Sequence, residues 1–301
     1  MEALLDKICL GTAQFGMRYG VANKSGQPNQ KDIDSILDFS YNSGIRYLDT
    51  AEAYGQSEKC IGNFLRNNPS KNFSLVSKYS FESSINSCDT KQIPSMLEAK
   101  IQKSLDKLNI ATIDGIMLHN PSDMYIDNVI EALITMKTKG YVSNIGVSVY
   151  TTTDALYAVN HPSIDCIQIP YNVLDRSLNS THFFSIAAQK KVTVFARSIF
   201  LQGLLLMNSE EVPDALLGVN PYIQKLDELS NKLGIKRYEL VLNYALANPG
   251  IDYIVIGIEH IDQLKKLYST IRKIENCDFT GQVNQMEITN IDPRIVRPYM
   301  W

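Results

Sequence analysis

The sequence lacks the patterns that mark several enzyme classes. Its five cysteines are scattered over 301 residues and form no CxxC pair, which argues against a disulfide framework or a zinc knuckle and favours reduced thiols in the cytoplasm. None of its four histidines pairs at metal-ligand spacing, so we expect no metal. HExxH, GxxxxGK[ST], GxSxG and EF-hand patterns are absent, which weighs against zinc hydrolases, P-loop NTPases and serine esterases.

Long apolar runs and blocks of like charge are also missing. No stretch approaches the roughly 20 apolar residues of a membrane span, and the first residues do not resemble a signal peptide. The 29 basic and 32 acidic residues give a net charge of -3, so we expect neither a membrane nor nucleic acid as a partner. The composition, 45% apolar and 20% charged, is that of a globular protein. It does not specify an oligomeric state.

Short β-branched runs alternate with longer amphipathic stretches along the chain, and this order predicts a (β/α)8 TIM barrel. The predicted strands are Ile8–Leu10, Ile45–Leu48, Phe73–Ser77, Ile113–Leu118, Val142–Val147, Asp165–Ile169, Val192–Ala196 and Tyr253–Ile256. The predicted helices are Asp32–Tyr41, one capped by Ser57, Ile93–Leu108, Val129–Lys139, Pro221–Leu233, Tyr238–Ala247 and Asp262–Ile271. The alternative is an open doubly wound sheet, which typically carries a GxGxxG turn that this chain lacks. We expect one domain, 1–301, with an irregular tail, 278–301, able to fold over one mouth of the barrel.

Polar residues at the carboxyl ends of three neighbouring strands suggest a reaction centre. Asp49, Lys78 and His119 follow the second, third and fourth predicted strands, and Tyr54 lies in the first loop turn after Asp49. An ammonium about 4 Å from a phenol would lower the pKa of Tyr54 by about two to three, which suits proton transfer to a carbonyl oxygen. Taken singly, an Asp at a strand end is usually a helix cap or turn former, and a Lys is usually a solvated surface charge. A His before Asn-Pro is compatible with a group that satisfies a turn backbone.

The residues resemble those of a known family. Asp49-Thr-Ala with Tyr54-Gly, then Ser77-Lys78 and Leu118-His119, resembles the catalytic tetrad of the aldo-keto reductases. The resemblance continues through the segments 10–16, 144–148, 167–172, 196–203 and 255–264. It implies NAD(P)H-dependent reduction of an aldehyde or ketone, including sugar-type carbonyl compounds. Tyr54 is then the general acid, Lys78 its pKa partner, Asp49 the counterion of Lys78, and His119 the residue that orients the substrate.

The same resemblance implies a set of cofactor-binding residues. Thr12 and Asp49 match positions near the cofactor, Ser148 and Gln168 match positions that bind the carboxamide, and Arg197 replaces an aromatic ring that stacks on the nicotinamide. A guanidinium plane can also stack on a π-system. The remaining matches are Ser198, Ile199 and Leu201 in the loop that crosses the pyrophosphate, and Gly257 and Gln263 after the last strand.

The chain departs from the family pattern near the cofactor. Val149 replaces an Asn, and Glu259 with Gln263 stands where many relatives use basic residues to hold the 2′-phosphate. A carboxylate there would repel a phosphate, although Glu259 could instead face solvent and cap the next helix. Because these departures weaken the site for the 2′-phosphate, we expect only a slight preference for NADP(H) over NAD(H).

The identity of the substrate stays open at this point. Phe15, Arg18, Tyr19, Tyr171 and Trp301 are candidates to line the substrate pocket, with ordinary loop packing as the alternative for each aromatic residue. The leading function is an oxidoreductase acting on a small-molecule carbonyl compound. The alternatives are a cofactor-binding regulatory or partner subunit with little turnover, and a sugar-modifying enzyme that uses nicotinamide transiently.

Overall fold

Eight parallel strands pair in chain order and close into a barrel, because β8 pairs with β1. The computed structural model describes residues 2–81, 92–289 and 291–301. The strands are β1 Ile8–Gly11, β2 Tyr47–Asp49, β3 Ser74–Tyr79, β4 Ile113–Leu118, β5 Val142–Ser148, β6 Cys166–Pro170, β7 Thr193–Arg197 and β8 Tyr253–Gly257. The predicted (β/α)8 TIM barrel is confirmed, whereas the assignment of 1–301 to a single domain stays a prediction.

Helices occupy the connections between the strands and the two ends of the chain. They are α1 Glu2–Leu5, α2 Ala13–Gly16, α3 Gln30–Asn42, α4 Ser57–Asn67, α5 Ile93–Leu108, α6 Asp127–Thr138, α7 Thr152–Asn160, α8 Phe183–Lys190, α9 Asn220–Leu233, α10 Arg237–Leu246, α11 Ile261–Ile274, α12 Thr280–Gln285 and α13 Pro293–Val296. None of the helices in the described ranges is long and apolar enough to cross a membrane.

Several boundaries differ from the sequence prediction. β2 begins at Tyr47 rather than Ile45, because Ile45 still bonds back to the end of α3 through its amide. The helices α7 and α8 were missed, since each is only two to three turns long. The tail predicted to be irregular contains α12 and α13, so that expectation was wrong in part.

The strand register brings the carboxyl ends of the strands to one rim of the barrel. Gly11 of β1 lies opposite both Asp49 of β2 and Gly257 of β8. On the far side, Ser148 of β5 pairs with Gln168 of β6. Residues far apart in the chain therefore face a common mouth, which is where active sites of such barrels lie.

Two apolar layers hold this rim in place. Inside the barrel, Cys9, Val76, Met117, Cys166 and Phe195 fill the interior below the rim. Outside it, a larger core packs the strands against the helices, as at Ile8 and Leu10, which flank Cys9 and point the other way. The cysteines among the described residues, Cys9, Cys60, Cys166 and Cys277, are free, and Cys88 lies outside them.

Candidate active site

A buried ion pair lies at the base of the barrel mouth. Lys78 of β3 places its Nζ 2.7 Å from Oδ1 of Asp49 on β2, and the side chains are 1% and 4% exposed. The same ammonium donates to the carbonyl oxygen of Thr50 at 3.0 Å. Oδ1 of Asp49 also accepts a hydrogen bond from Nε2 of Gln168 at 2.8 Å. Each charge thus has a charged partner and a polar one, which a buried pair requires.

This environment keeps Lys78 charged. Burial acts to lower the pKa of Lys78, but the Asp49 carboxylate and the Tyr54 phenol together outweigh it, so the pKa lies above its ordinary value. The ammonium therefore persists over the neutral pH range and remains a fixed positive charge beneath the phenol.

Tyr54 stands above the ion pair. Nζ of Lys78 donates to Oη of Tyr54 at 3.5 Å and lies 5.0 Å from the ring centroid. The turn that presents the phenol is held by the amide of Ser57, which donates to the carbonyl oxygen of Tyr54. Gly16 of α2 packs so closely on this turn that a Cβ there would collide with the same carbonyl oxygen.

The pKa of Tyr54 moves opposite to the sequence prediction. Burial raises it, Lys78 lowers it and Asp49 raises it, with the net pKa above the ordinary value of 10.0. Lys78 does act to lower the pKa of Tyr54, but the expected net fall is wrong for this cavity, because it neglected the desolvation of the phenolate and the opposing charge of Asp49. The phenol is consequently protonated at neutral pH.

His119 follows β4 and faces the same phenol. Its ring meets the Tyr54 ring edge to face, with centroids 5.8 Å apart. Burial lowers the pKa of His119 to about 4, and the charges of Lys78 and Arg197 act in the same direction. The imidazole is therefore neutral at pH 7, with one N–H donor and one acceptor nitrogen.

A chain of hydroxyl groups ties the first two strand ends together. Oγ1 of Thr12 donates to the carbonyl oxygen of Asp49 at 2.9 Å and accepts from Oγ of Ser57 at 2.8 Å. Oγ of Ser57 also lies 3.0 Å from Oγ1 of Thr50. Ser57 was predicted to cap α4, but it is the first residue of that helix, and its hydroxyl joins the two strand ends instead.

A cavity of about 790 Å³ opens above these groups. It is lined by most of the predicted site residues: Thr12, Asp49, Tyr54, His119, Ser148, Gln168, Arg197, Ser198, Ile199, Gly257 and Gln263. Its volume and its lining, which runs from Tyr54 to residues of α11, suit a dinucleotide with a small substrate beside it. Ser148, Gln168 and Arg197 would hold the nicotinamide end, and the residues after β7 and β8 would hold the rest.

Two predicted residues lie elsewhere. Lys78 reaches Tyr54 from below and does not line the cavity. The side chain of Leu201 is fully buried, and its backbone amide donates to the carbonyl oxygen of Ser198. Neither the side chain nor the amide therefore faces the cavity. The left-handed backbone at Ser198, Leu201 and Gln202 explains the difference, since three such residues turn the loop in a way that sequence matching does not reveal.

The predicted substrate pocket needs correction. Phe15 and Tyr171 are buried in the core, and Arg18 and Trp301 lie off the cavity, so Tyr19 alone of the five candidates lines it. Tyr150, which follows β5, and Tyr299 in the tail also line the mouth and were missed. Their rings contact each other, with centroids 4.4 Å apart. The tail does reach the mouth, but through Tyr299 rather than Trp301.

The far end of the cavity is polar and exposed. Oγ of Ser25 lies 2.9 Å from Nε2 of His260 and 3.5 Å from Oε2 of Glu259. Oε1 of Gln263 accepts from the amides of Glu259 and His260, which makes Gln263 part of the cap of α11. Lys266, also on α11, lies over the ring of Tyr238.

Comparison with known proteins points to one family. The profile of the Aldo/keto reductase family matches residues 7–281. An uncharacterised oxidoreductase of Bacillus subtilis, YqkF, is 26% identical over 77% of this chain and 79% of its own length. D-threo-aldose 1-dehydrogenase of a Pseudomonas species is 27% identical over 74% and 76%.

Among solved structures, the holo form of an aldo-keto reductase from Bacillus halodurans covers 96% of this chain and 95% of its own. It superposes with a TM-score of 0.73 at 22% identity, which shows the fold alone. Because the family profile spans nearly the whole barrel, the chain belongs to the aldo/keto reductase family and is an NAD(P)-dependent oxidoreductase.

Proposed function

We propose that the protein reduces an aldehyde or ketone to the alcohol, with Tyr54 as the proton donor. The observation that carries this is the contact of the Tyr54 phenol with both the Lys78 ammonium and the His119 ring. Burial favours the protonated phenol and the neutral imidazole there. Reduced nicotinamide supplies the hydride when it is bound. The small-molecule substrate would place its carbonyl oxygen between Tyr54 and His119.

Each side chain has a separate role in this proposal. His119 donates its N–H to the carbonyl oxygen and so fixes the orientation of the substrate. Tyr54 donates its proton to the same oxygen as negative charge develops there. Lys78 stabilises the phenolate that remains, and Asp49 holds the ammonium in place. In the opposite direction the phenol must first lose its proton, so oxidation of an alcohol should become faster as pH rises.

The test is the variant Tyr54→Phe. We expect its kcat to fall by about 10²–10⁴-fold, because general-acid assistance is of that size, while dinucleotide affinity stays within a few-fold. Tyr157→Phe, on the exposed face of α7, is the matched control and should retain full activity. Equal turnover by Tyr54→Phe and the wild type would exclude the assigned acid. Tight dinucleotide binding without turnover on any carbonyl compound would favour the regulatory-subunit alternative.

We propose a slight preference for NADPH over NADH. Lys266 lines the far end of the cavity and attracts a 2′-phosphate, whereas Glu259 repels it and narrows the preference. The measurement is the dissociation constant of each reduced dinucleotide for the wild type and for Glu259→Gln. The variant should bind NADPH several-fold more tightly and NADH as before. A wild type that binds NADH more tightly would overturn the preference.

A sugar-type carbonyl compound is the substrate class that we propose. Tyr19, Tyr150 and Tyr299 line the mouth next to Arg197, and aromatic faces with nearby hydrogen-bonding groups suit the C–H and O–H faces of a sugar. The name of the Pseudomonas relative, an aldose dehydrogenase, supports this choice. A panel of aldoses and apolar aldehydes of similar size tests it, and a higher kcat/KM for the apolar compounds would refute it. Cofactor that returns to its starting redox state would favour the sugar-modifying alternative. The cytoplasmic location stays a prediction.

A further inference from the structure

Arg197 brings an uncompensated positive charge to the reaction centre. It is the last residue of β7 and partly buried in the cavity wall. Its guanidinium donates to the carbonyl oxygen of Val149 at 3.0 Å and to Oγ of Ser198 at 3.2 Å. Both acceptors are neutral, and within the described ranges the side chain forms no ion pair with a carboxylate. Lys78, the other cation nearby, is neutralised by Asp49.

The guanidinium is held in a fixed place. It lies over the ring of Tyr150, with its central carbon 5.0 Å from the ring centroid. Oη of Tyr150 in turn donates to the carbonyl oxygen of His119 at 3.5 Å. Tyr150 therefore contacts both Arg197 and His119. The charge of Arg197 is among those that lower the pKa of the His119 imidazole.

The position of the substrate limits where the nicotinamide can lie. A hydride passes directly between two carbon atoms in contact, so the ring must lie beside the carbonyl carbon whose oxygen faces Tyr54 and His119. The oxidised ring carries a positive charge and the reduced ring carries none. A nearby guanidinium therefore disfavours the oxidised form only.

From this we infer that Arg197 makes the protein discriminate between the two redox forms of its cofactor, binding the reduced dinucleotide more tightly than the oxidised one. The inference rests on the proposed function, because it requires the dinucleotide in this cavity. The phosphates are the same in both forms, so their attraction to Arg197 cancels in the ratio of dissociation constants. What remains is the charge on the ring, for which we expect an effect of about tenfold on the ratio of dissociation constants in a partly buried site.

This discrimination would matter for turnover in the reductive direction. After the carbonyl compound is reduced, the oxidised dinucleotide would be held less tightly and would leave readily. Inhibition by the oxidised form should then be weak, and a pool containing both forms would load the protein mainly with the reduced one.

The test is a set of dissociation constants measured by calorimetry for the reduced and oxidised dinucleotide. Arg197→Gln removes the charge and keeps hydrogen-bonding capacity, whereas Arg197→Lys keeps the charge. If Arg197→Gln does not fold, Arg197→Met takes its place. The quantity compared is the dissociation constant of the oxidised dinucleotide divided by that of the reduced one. We expect this ratio to fall about tenfold in Arg197→Gln and to stay within about threefold of wild type in Arg197→Lys.

Lys266→Gln is the matched control, since it removes a cavity charge that is not among those acting on the pKa of Tyr54 or His119. It should weaken both forms equally and leave the ratio unchanged. An unchanged ratio in Arg197→Gln, with both forms still binding, would overturn the inference alone. Failure of the wild type to bind either form would instead overturn the proposed function.

Discussion

The two ends of the cavity contain similar charged groups in opposite surroundings. At the base, Lys78 and Asp49 are 1% and 4% exposed and lie on adjacent strands. At the rim of the cavity, Lys24 and Glu211 are 78% and 41% exposed and lie in the connections that follow β1 and β7, although their 2.7 Å separation is the same. Equal distances therefore do not mean equal energies, because water screens the rim pair and is excluded from the base pair.

These surroundings determine what each end of the cavity is able to do. At the base, the two buried charges of Lys78 and Asp49 must match each other, so their geometry is rigid and suited to proton transfer. At the rim, charges can change partners at little cost, so this end can adapt to a ligand and release it. The comparison predicts large effects for substitutions at the base and small ones at the rim.

The largest effect is expected for Lys78→Met. Removing the ammonium leaves the Asp49 carboxylate buried with Gln168 as a remaining donor, which should lower the free energy of unfolding by about 3 kcal/mol. Turnover should fall at least about 10²-fold, because the phenolate of Tyr54 loses its stabilising charge. Urea denaturation and kcat measure the two losses. The double variant Lys78→Met/Asp49→Asn should recover stability but not turnover, and a stable single variant would contradict the view that the base pair is tightly coupled.

The next effect concerns acid stability and His119. Its pKa is lowered from 6.5 to about 4 in the folded protein, so the unfolded chain binds the proton more readily. Stability contributed by the neutral ring is present above pH 6.5 and is lost as pH falls from there to about 4. We expect the free energy of unfolding to fall by about 3 kcal/mol over this window, a loss that His119→Asn does not show. Urea denaturation of both proteins at pH 7.5 and pH 4.5 provides the comparison, and parallel losses would be inconsistent with a neutral, desolvated imidazole.

The sequence could predict the base of the site better than its surroundings. The meeting of Asp49, Lys78 and His119 was predictable, because parallel strands that follow one another bring their carboxyl ends to the same end of the barrel. The direction of the pKa shift of Tyr54 was not predictable, since it depends on the burial of the phenol and on the charge of Asp49 as well as on Lys78. The path of the tail to Tyr299 depends on long-range packing, which no local pattern encodes.

A smaller effect is expected where two backbones meet beneath Tyr54. A Cβ at position 16 would overlap the carbonyl oxygen of Tyr54 and the amide of Ser57, so Gly16→Ala must displace the turn that presents the phenol. We expect a loss of about 1–2 kcal/mol in stability, as for other overpacked sites, together with a lower kcat. Gly281→Ala is the control, because that glycine has open space around it within α12 and alanine favours a helix. If both variants behaved alike, close packing at position 16 would not position Tyr54.

The smallest effect is expected at the rim, from Lys24→Met. This change removes the exposed pair with Glu211 that joins the loop after β1 to the loop after β7. Because both side chains are largely solvated, the urea midpoint should not move measurably, and dinucleotide affinity should change by less than about threefold. Calorimetric titration at low and high salt measures the dinucleotide affinity, and screening by salt should remove any difference in affinity between Lys24→Met and the wild type. A loss of stability comparable to that of Lys78→Met would mean that the rim pair is coupled as strongly as the base pair, and that burial is not what separates the two ends of the cavity.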